Sequence, residues 1–390
     1  MHLARRLSPA ARVRIPVLSL AAFVAFGAVL LAACGGDDGP NATTKSPAGS
    51  AATGDGQACP PSGAAKGLTA AGATFPFPLY TKWIDTYHKQ CNVEINYQSI
   101  GSGGGIKGIT DKTVDYAGSD AIMNADQTKA AEAAGGPVLH IPMTSGAEAI
   151  IVNLSGITKG QLKLSGGVLA DIYLKKIKKW NDPQIAALNS GLSLPDTDIA
   201  VVHRSDGSGT TFIFTNYLSK VSDQWKSSVG SATSVNWPGD IGGEGNEGVA
   251  NQVRQIPGAI GYVELAYAVK NNITWASLQN KSGKFIEPGL DATTAAAKGV
   301  PLPADMKVLI TDSDNPDAYP IAGFSWALVF ANQPDKAKGQ TLVSFLWWSI
   351  HDGQAFAKDL LYAPLSPDAV KNAEAEIKSV TFQGQPLLGQ

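Results

Sequence analysis

From residue 67 onward, the chain alternates between short apolar segments and longer amphipathic ones. The apolar segments predict strands at residues 68–72, 93–100, 114–119, 138–143, 148–154, 199–202 and 259–264. Apolar residues at helical spacing predict helices at residues 78–89, 126–134, 167–174, 183–188, 210–219, 339–351 and 367–378, and a further helix after the glycine-rich turn at 101–105. Strands and helices in alternation are typical of the α/β class.

The N-terminal 33 residues have a different pattern. Four arginines, at positions 5, 6, 12 and 14, precede an uncharged run over residues 17–33, which ends in the tetrad Leu31-Ala-Ala-Cys34. Positive charge, an apolar stretch and small residues in this order indicate a secretion signal over residues 1–33. The tetrad resembles a bacterial lipobox, which implies cleavage before Cys34, lipid on its sulfur and an extracytoplasmic, membrane-anchored protein. The alternative is an uncleaved membrane helix, because the run is about long enough to span a bilayer.

Residues 34–66 are mostly glycine, alanine, serine, threonine and proline, so this segment predicts a flexible tether that buries little surface. With Cys34 assigned to lipid, two of the three cysteines remain, Cys59 and Cys91. In an oxidising compartment they could form a disulfide, and the alternative is two free thiols.

Length and charge restrict the class of protein. Beyond the tether, a little over 300 residues remain, which suits two lobes better than one. The net charge of −2 argues against a nucleic-acid-binding protein, which would carry clustered basic residues. The five histidines are scattered and no group of Cys and His has metal-ligand spacing, so we expect neither a metal site nor a cofactor.

The turn after the strand at residues 199–202 carries the most informative chemistry. It reads Arg204-Ser-Asp-Gly-Ser-Gly-Thr-Thr211 and leads into an amphipathic helix. Glycines at 207 and 209 let the backbone direct the N–H groups of the first helical turn to one point, where the helix dipole favours an anion. Arg204 offers a fork suited to two oxygens of a tetrahedral anion, and Asp206 could brace it. The turn predicts a receptor for a small oxyanion; the alternative is an ordinary turn with a helix N-cap.

Three further turns are similar, each with small polar residues at a strand end: residues 71–76, 100–105 and 115–120. The first leads to a helix expected to carry Pro78 in its first turn, the second places Ser102 at an expected N-cap, and the third ends in Asp120. Each could be an ordinary cap. Ligands of open α/β sheets, however, gather at the carboxyl ends of strands, so we expect the turns to meet.

Together these segments resemble the phosphate-binding proteins of bacterial ABC uptake systems, the PstS family, over essentially the whole body. The resemblance implies the type II periplasmic-binding-protein fold, in which two α/β lobes close on an anion. It places residues 67–144 and 317–390 in lobe I and residues 145–316 in lobe II. The matching segments are Gly72-Ala-Thr-Phe-Pro76, Gly101-Ser-Gly-Gly104, Val114-Asp-Tyr-Ala-Gly-Ser-Asp120, Asp171-Ile-Tyr-Leu174, Lys178-Lys-Trp180, Arg204-Ser-Asp-Gly-Ser-Gly-Thr210 and Pro257-Gly-Ala-Ile-Gly-Tyr-Val-Glu264.

The resemblance also implies a ligand set and a task. The protein would bind inorganic phosphate outside the cytoplasmic membrane and deliver it to a transmembrane permease, with no enzymatic step. Asp206 would hold the guanidinium of Arg204 in place. The residues implied to contact phosphate are Thr74, Phe75, Ser102, Asp120, Arg204, Ser208, Gly209 and Thr210.

A physical argument gives Asp120 a role in selectivity. A carboxylate beside a bound anion is repulsive unless a proton lies between them. Phosphate near neutral pH keeps a P–OH group that can donate to Asp120, whereas sulfate is fully ionised and cannot. The carboxylate therefore predicts rejection of sulfate.

Other functions fit single features. An exported hydrolase could use Ser208 as nucleophile, but no histidine is placed by a recognisable motif, and His203 is expected to point away. Gly103-x-Gly105-x-x-Gly108 fits a dinucleotide fingerprint by letter alone. The tryptophans at 180, 225, 237, 275, 347 and 348 could stack on sugars, although core packing is the expected role. A surface sensor or adhesin that retains phosphate binding is a further alternative.

Overall fold

The computed structural model describes residues 59–239 and 241–388 of the 390. The signal, Cys34 and the tether up to residue 58 lie outside these residues. In the described part the strands are Gly67–Gly72 (β1), Glu94–Ser99 (β2), Tyr116–Ser119 (β3), Val138–Val152 (β4), Lys163–Leu164 (β5), Ala200–Arg204 (β6), Ile241–Gly243 (β7), Ala259–Glu264 (β8), Thr274–Trp275 (β9), Ser277–Gln279 (β10), Phe285–Ile286 (β11), Ala322–Phe330 (β12), Thr381–Phe382 (β13) and Gln385–Pro386 (β14).

Helices pack around these strands, and two short 3-10 helices at Asp352–Phe356 and Lys358–Leu360 precede the last of them. None of the described helices is long and apolar enough to span a bilayer. The α-helices are Phe77–Cys91 (α1), Gly101–Thr110 (α2), Ala125–Gly135 (α3), Gly166–Tyr173 (α4), Pro183–Leu188 (α5), Gly209–Val221 (α6), Asp223–Ser228 (α7), Gly245–Gln255 (α8), Leu265–Lys270 (α9), Leu290–Ala297 (α10), Lys336–Ile350 (α11) and Pro367–Lys378 (α12).

The main sheet has the order β2-β1-β3-β12-β4-β8-β6-β7, with β9 paired to β4. Strand β1 is parallel to β2 and β3, and β6 is parallel to β7 and β8. The two groups are joined through β12 and β4, which are antiparallel to each other. Parallel neighbours end at the same edge of a sheet, so the turns after β1, β2 and β3 form one cluster and those after β6, β7 and β8 form another. The expected α/β class is confirmed.

The central pair β4 and β12 departs from the expectation. Two strands, at residues 138–143 and 148–154, were predicted where the structure has the single 15-residue strand β4. Residues 144–147 resemble a break because they are small or polar, yet they are buried and pair with β12. Strand β12 was not predicted, because all nine of its residues are buried and it therefore has no alternation. The boundary expected between residues 144 and 145 falls inside β4, and the lobe limits stay a prediction.

Local sequence explains why the helices begin where they do. Ser208, Ser366 and Asp335 each accept a hydrogen bond from the backbone N–H three residues later, at the starts of α6, α12 and α11. Pro78 lies in the first turn of α1, as expected, and is its second residue because the helix begins at Phe77. Ser102 was expected to cap α2, but that helix already begins at Gly101, with Ile100 at the cap.

Large aromatic residues fill the core. Trp180, Trp225, Trp347 and Trp348 are buried, as expected for core packing. Trp237 is partly buried and stacks on His203, with ring centroids 4.9 Å apart, and Trp275 is partly buried beneath the ammonium of Lys159. These contacts account for the tryptophans without a carbohydrate ligand.

The segment just before β1 is attached to the body. Cys59 and Cys91 form a disulfide with their Cα atoms 5.3 Å apart. Ala64 is buried, and the N–H of Ala65 donates to the carbonyl oxygen of Ala337, 3.1 Å away, in α11. Residues 59–66, which were assigned to the tether, therefore pack against the body, because the disulfide and α11 give this polar segment contacts that its composition does not indicate.

Candidate functional site

The glycine-rich turn before α6 lies directly against α2 and the end of β3. The N–H of Gly103 donates to the carbonyl oxygen of Gly207, 2.8 Å away. A Cβ atom added to Gly209 would lie 2.5 Å from both the Cβ of Asp120 and the Oγ of Ser102. Real Cβ atoms do not approach other heavy atoms this closely, so a residue without a side chain is required here. Three of the four predicted turns thus meet at one point.

Arg204 supplies the cation of this point and is held in a fixed orientation. Its Nε and Nη2 donate to the two carboxylate oxygens of Asp206 at 2.7 and 2.5 Å, and its Nη1 donates to Oγ1 of Thr210 at 3.2 Å. The pKa of Asp206 is lowered. Burial alone would raise this pKa, but the hydrogen bond and the charge of Arg204 lower it by more than burial raises it. The guanidinium is buried and paired, so an anion would meet an oriented dipole array with little net charge.

The start of α6 provides backbone donors beside Arg204. Ser208 is the N-cap residue, and its Oγ accepts from the N–H of Thr211 at 3.0 Å. The first N–H groups of a helix have no partner within the helix, which leaves those of Gly209 and Thr210 available to an anion. Ser208 and Thr210 are fully buried, so these donors lie in a dry environment.

Ser102 and Asp120 face α6 from the other strand group. The N–H of Asp120 donates to Oγ of Ser102 at 3.1 Å, and one carboxylate oxygen of Asp120 accepts from the hydroxyl of Ser325 at 2.6 Å. Burial raises the pKa of Asp120 to about 7, opposed by the hydrogen bond from Ser325 and the charge of Arg204. Sequence reasoning missed Ser325 because only the pairing of β12 with β3 brings it to this place.

The raised pKa of Asp120 predicts a pH-dependent cost to stability. Between about pH 4 and pH 7 the unfolded chain has lost this proton while the folded protein keeps it, so stability falls as pH rises and levels off above the folded pKa. Asp120→Asn removes the titration. We therefore compare the free energies of unfolding of the variant and the wild type in phosphate-free buffer. The difference, variant minus wild type, should increase by up to about 4 kcal/mol from pH 4 to pH 7. Urea unfolding across this range measures it, and a difference independent of pH would contradict it.

Thr74 and Phe75 follow β1 and form the fourth turn. Their carbonyl oxygens accept from two buried tyrosine hydroxyls, Tyr267 to Thr74 at 2.5 Å and Tyr362 to Phe75 at 2.7 Å. Both residues are buried. With their carbonyls held by tyrosines, the turn has a defined orientation.

Asn246 links this turn to α6 and was missed by sequence reasoning. Its Nδ2 donates to Oγ1 of Thr74 at 2.7 Å and to Oγ1 of Thr210 at 3.2 Å, and its Oδ1 accepts from the N–H of Glu264 at 2.9 Å. The side chain is fully buried near the start of α8. The only signal in the sequence is the run Gly-Gly-Glu-Gly before it, a fifth strand end with glycines that could have been recognised. The structure thus brings all eight predicted contact residues into one cluster and adds Asn246.

The competing chemistries find no support in this geometry. The ring nitrogens of His203 lie 2.9 and 3.1 Å from the carbonyl oxygens of Arg204 and Gly239, so this imidazole is occupied and does not serve Ser208 as a base. Gly103 and Gly105 lie inside α2, where a Cβ would come within 3 Å of the backbone of Gly207 and Gly72 respectively. These glycines permit close packing of the helix. In the described part of the chain, no group of three or more His, Cys, Asp or Glu could hold a metal ion.

Comparison with known proteins agrees with this arrangement. A family model described as a PBP superfamily domain matches residues 45–350. The phosphate-binding protein PstS of Pasteurella multocida is 47% identical over 81% of this chain and 91% of its own length. That of Haemophilus influenzae is 44% identical over 81% and 93%, respectively.

Solved structures show the same fold. A phosphate-binding protein from Stenotrophomonas maltophilia has a TM-score of 0.63 at 20% identity, covering 80% of this chain and 94% of that one. A putative phosphate ABC transporter substrate-binding protein with bound phosphate, from Clostridium perfringens, has a TM-score of 0.57 at 17% identity, covering 77% and 100%. The two-lobed periplasmic-binding-protein fold is therefore confirmed. On the family match and the identity to its relatives, this chain belongs to the PstS family of the PBP superfamily.

Proposed function

We propose that this protein binds inorganic phosphate at the point where the four turns meet and delivers it to the permease of an ABC importer. The observation that carries the proposal is the convergence of backbone donors, hydroxyls, one guanidinium and one carboxyl in a buried place. The proposed contact residues are Thr74, Phe75, Ser102, Asp120, Arg204, Ser208, Gly209 and Thr210, with Asp206 holding Arg204.

Each part of this cluster has a task in the proposal. The N–H groups at the start of α6 and the hydroxyls of Ser102 and Thr210 donate to phosphate oxygens, and Arg204 contributes the charged contacts. Asp120 accepts the hydrogen of the P–OH group. Closure of the lobes excludes water and completes the bonds, and the closed form would be the one that the permease receives.

Calorimetric titration of the purified protein with phosphate, sulfate and arsenate tests the proposal. We expect phosphate to bind at a single site and sulfate to bind far more weakly. Nitrophenyl phosphate is a useful companion, since turnover that disappears in Ser208→Ala would favour a hydrolase. Absence of any binding heat at millimolar phosphate would contradict the proposed function.

Asn246 is uncharged, and we expect it to support phosphate binding by orienting Thr74 and Thr210. Asn246→Ala removes the bridge between Thr74 and Thr210 and the acceptor of the Glu264 N–H, and the loss of these three buried hydrogen bonds should weaken phosphate affinity about tenfold. Asn251→Ala, an exposed residue of the same helix, is the matched control. Equal affinities of the two variants would show that the bridge does not order the site.

We also infer that acylation of Cys34 anchors the protein to the outer face of the cytoplasmic membrane or to the cell surface. The support is the sequence Leu31-Ala-Ala-Cys34 after an apolar run. Cys34→Ala should abolish incorporation of labelled fatty acid and release the protein from the membrane fraction. Undiminished labelling of that variant would contradict the anchor.

A further inference from the structure

A chain of hydrogen bonds connects β8 to the predicted phosphate-binding turn after β1. The hydroxyl oxygen of Tyr362 lies 2.7 Å from the carbonyl oxygen of Phe75 and 2.9 Å from Oε2 of Glu264. All three residues are buried. Glu264 is the last residue of β8, and Tyr362 follows the second 3-10 helix, so these hydrogen bonds join distant parts of the sequence.

The number of hydrogen atoms available to the two hydrogen bonds of Tyr362 determines which group must donate. A tyrosine hydroxyl carries one hydrogen, and a peptide carbonyl only accepts. If Tyr362 donates to Phe75, the second bond needs a hydrogen from Glu264. If Tyr362 donates to Glu264 instead, the lone pairs of two oxygens face each other 2.7 Å apart at Phe75. Satisfying both contacts requires a protonated Glu264. Its Oε2 also accepts from the N–H of Ala266 at 2.9 Å, which a carboxylic hydroxyl oxygen can do as well.

The surroundings of Glu264 also favour its neutral form. Glu148 lies directly opposite it on β4, with both carboxyl oxygens buried and without a hydrogen-bond partner among the described residues. Oε1 of Glu264 is likewise buried without a hydrogen-bond partner among the described residues. Asp120 is a third carboxyl, close enough to raise the pKa of Glu264. Two ionised carboxylates directly opposite each other on paired strands would be strongly unfavourable in a dry core. Burial raises the pKa of both glutamates well above the usual range.

We propose that Glu264 is a positioning residue that is protonated at neutral pH and donates a hydrogen bond to Tyr362, so that Tyr362 holds the Phe75 carbonyl and helps to fix the turn that presents the Phe75 N–H to the bound phosphate. This inference rests on the proposed phosphate function and adds to it a residue that does not touch the ligand. Glu264 acts through Tyr362, and the neutral carboxyl keeps a repulsive charge away from the anion.

Isosteric variants test the affinity part. Glu264→Leu can neither accept from the Ala266 N–H nor donate to Tyr362, and Tyr362→Phe removes both bonds of the hydroxyl. We expect each single variant to weaken phosphate binding about tenfold. The double variant should bind phosphate no more weakly than the weaker-binding single variant, because every variant breaks the same series of hydrogen bonds. Glu376→Gln, a half-buried carboxyl in α12, is the matched control and should bind like wild type. Additive losses in the double variant, or wild-type affinity of Glu264→Leu, would overturn the proposal.

Infrared spectroscopy of the phosphate-free protein reports the proton directly. The difference spectrum of wild type minus Glu264→Gln at neutral pH should contain the carbonyl band of a protonated carboxylic acid, and Tyr362→Phe should shift that band. A carboxylate band in its place would overturn the inference, even in a protein that binds phosphate well. A protein that shows the acid band and yet ignores phosphate would contradict the proposed function instead. The Tyr362→Phe shift keeps the test valid where Glu264→Gln folds poorly.

Discussion

Replacing Asp120 by asparagine should raise the affinity for sulfate relative to phosphate by about a thousandfold, equivalent to roughly 4 kcal/mol. In the wild-type protein, an ionised Asp120 accepts the hydrogen of phosphate, whereas with sulfate two acceptors would face each other in a closed site. An asparagine amide can instead donate to a sulfate oxygen. The carboxyl is buried and bonded to Ser325, so it has little freedom to turn away from the clash.

Competition calorimetry with both anions at about pH 8 measures this change, because Asp120, with its pKa raised to about 7, is then mostly ionised in the free protein. Asp85→Asn, an exposed carboxylate of α1, is the control for a lost charge. Should Asp120→Asn discriminate against sulfate as strongly as wild type, the carboxyl would not be the selective group. Below the pKa, the wild-type protein itself should admit sulfate more readily, since Asp120 then carries its own proton.

Gly209→Ala should weaken phosphate binding by about a hundredfold or more. The new methyl group would lie 2.5 Å from Ser102 Oγ and Asp120 Cβ, so the start of α6 must move away from α2 and β3. Such overpacking costs about 1–3 kcal/mol in a close-packed interior, and it also separates donors that must reach one anion together.

The control for Gly209→Ala is Gly167→Ala, which changes a glycine in the first turn of α4 with no atom within 4 Å of the added methyl. That variant should bind phosphate like wild type, and alanine should stabilise its helix slightly. Titration of both variants, with thermal unfolding to check folding, measures the effect. Equal phosphate affinity in the two variants would mean that the close approach at Gly209 is not needed for binding.

Local patterns predicted much of the fold and of the candidate site, whose contacts to phosphate stay a prediction. The amphipathic helices and the short strands at 68–72 and 259–264 follow from periodicity, and the four turns were recognised by their glycines and hydroxyls. Patterns that depend on distant pairing were not recognised. Strand β12 is apolar throughout because both of its faces are covered, and its Ser325 reaches Asp120 only through the register with β3.

Asn246 and Glu264 show the same limit for side chains. Asn246 bridges Thr74, which is 172 positions away in the sequence, and Thr210, which is 36 positions away. Glu264 forms a hydrogen bond with Tyr362, 98 positions away. A polar residue in a short segment between apolar ones looks like a surface residue until the sheet order places it beneath the turns. The contacts that order the site are therefore long-range, whereas the residues proposed to touch the anion are local motifs.

A crystal structure of the protein grown with phosphate tests the central claim most directly. The account predicts one tetrahedral anion within hydrogen-bonding distance of Arg204, Asp120, Ser102 and the first N–H groups of α6, with no water between them. An anion bound elsewhere, or density at this point that contacts none of these groups, would contradict it.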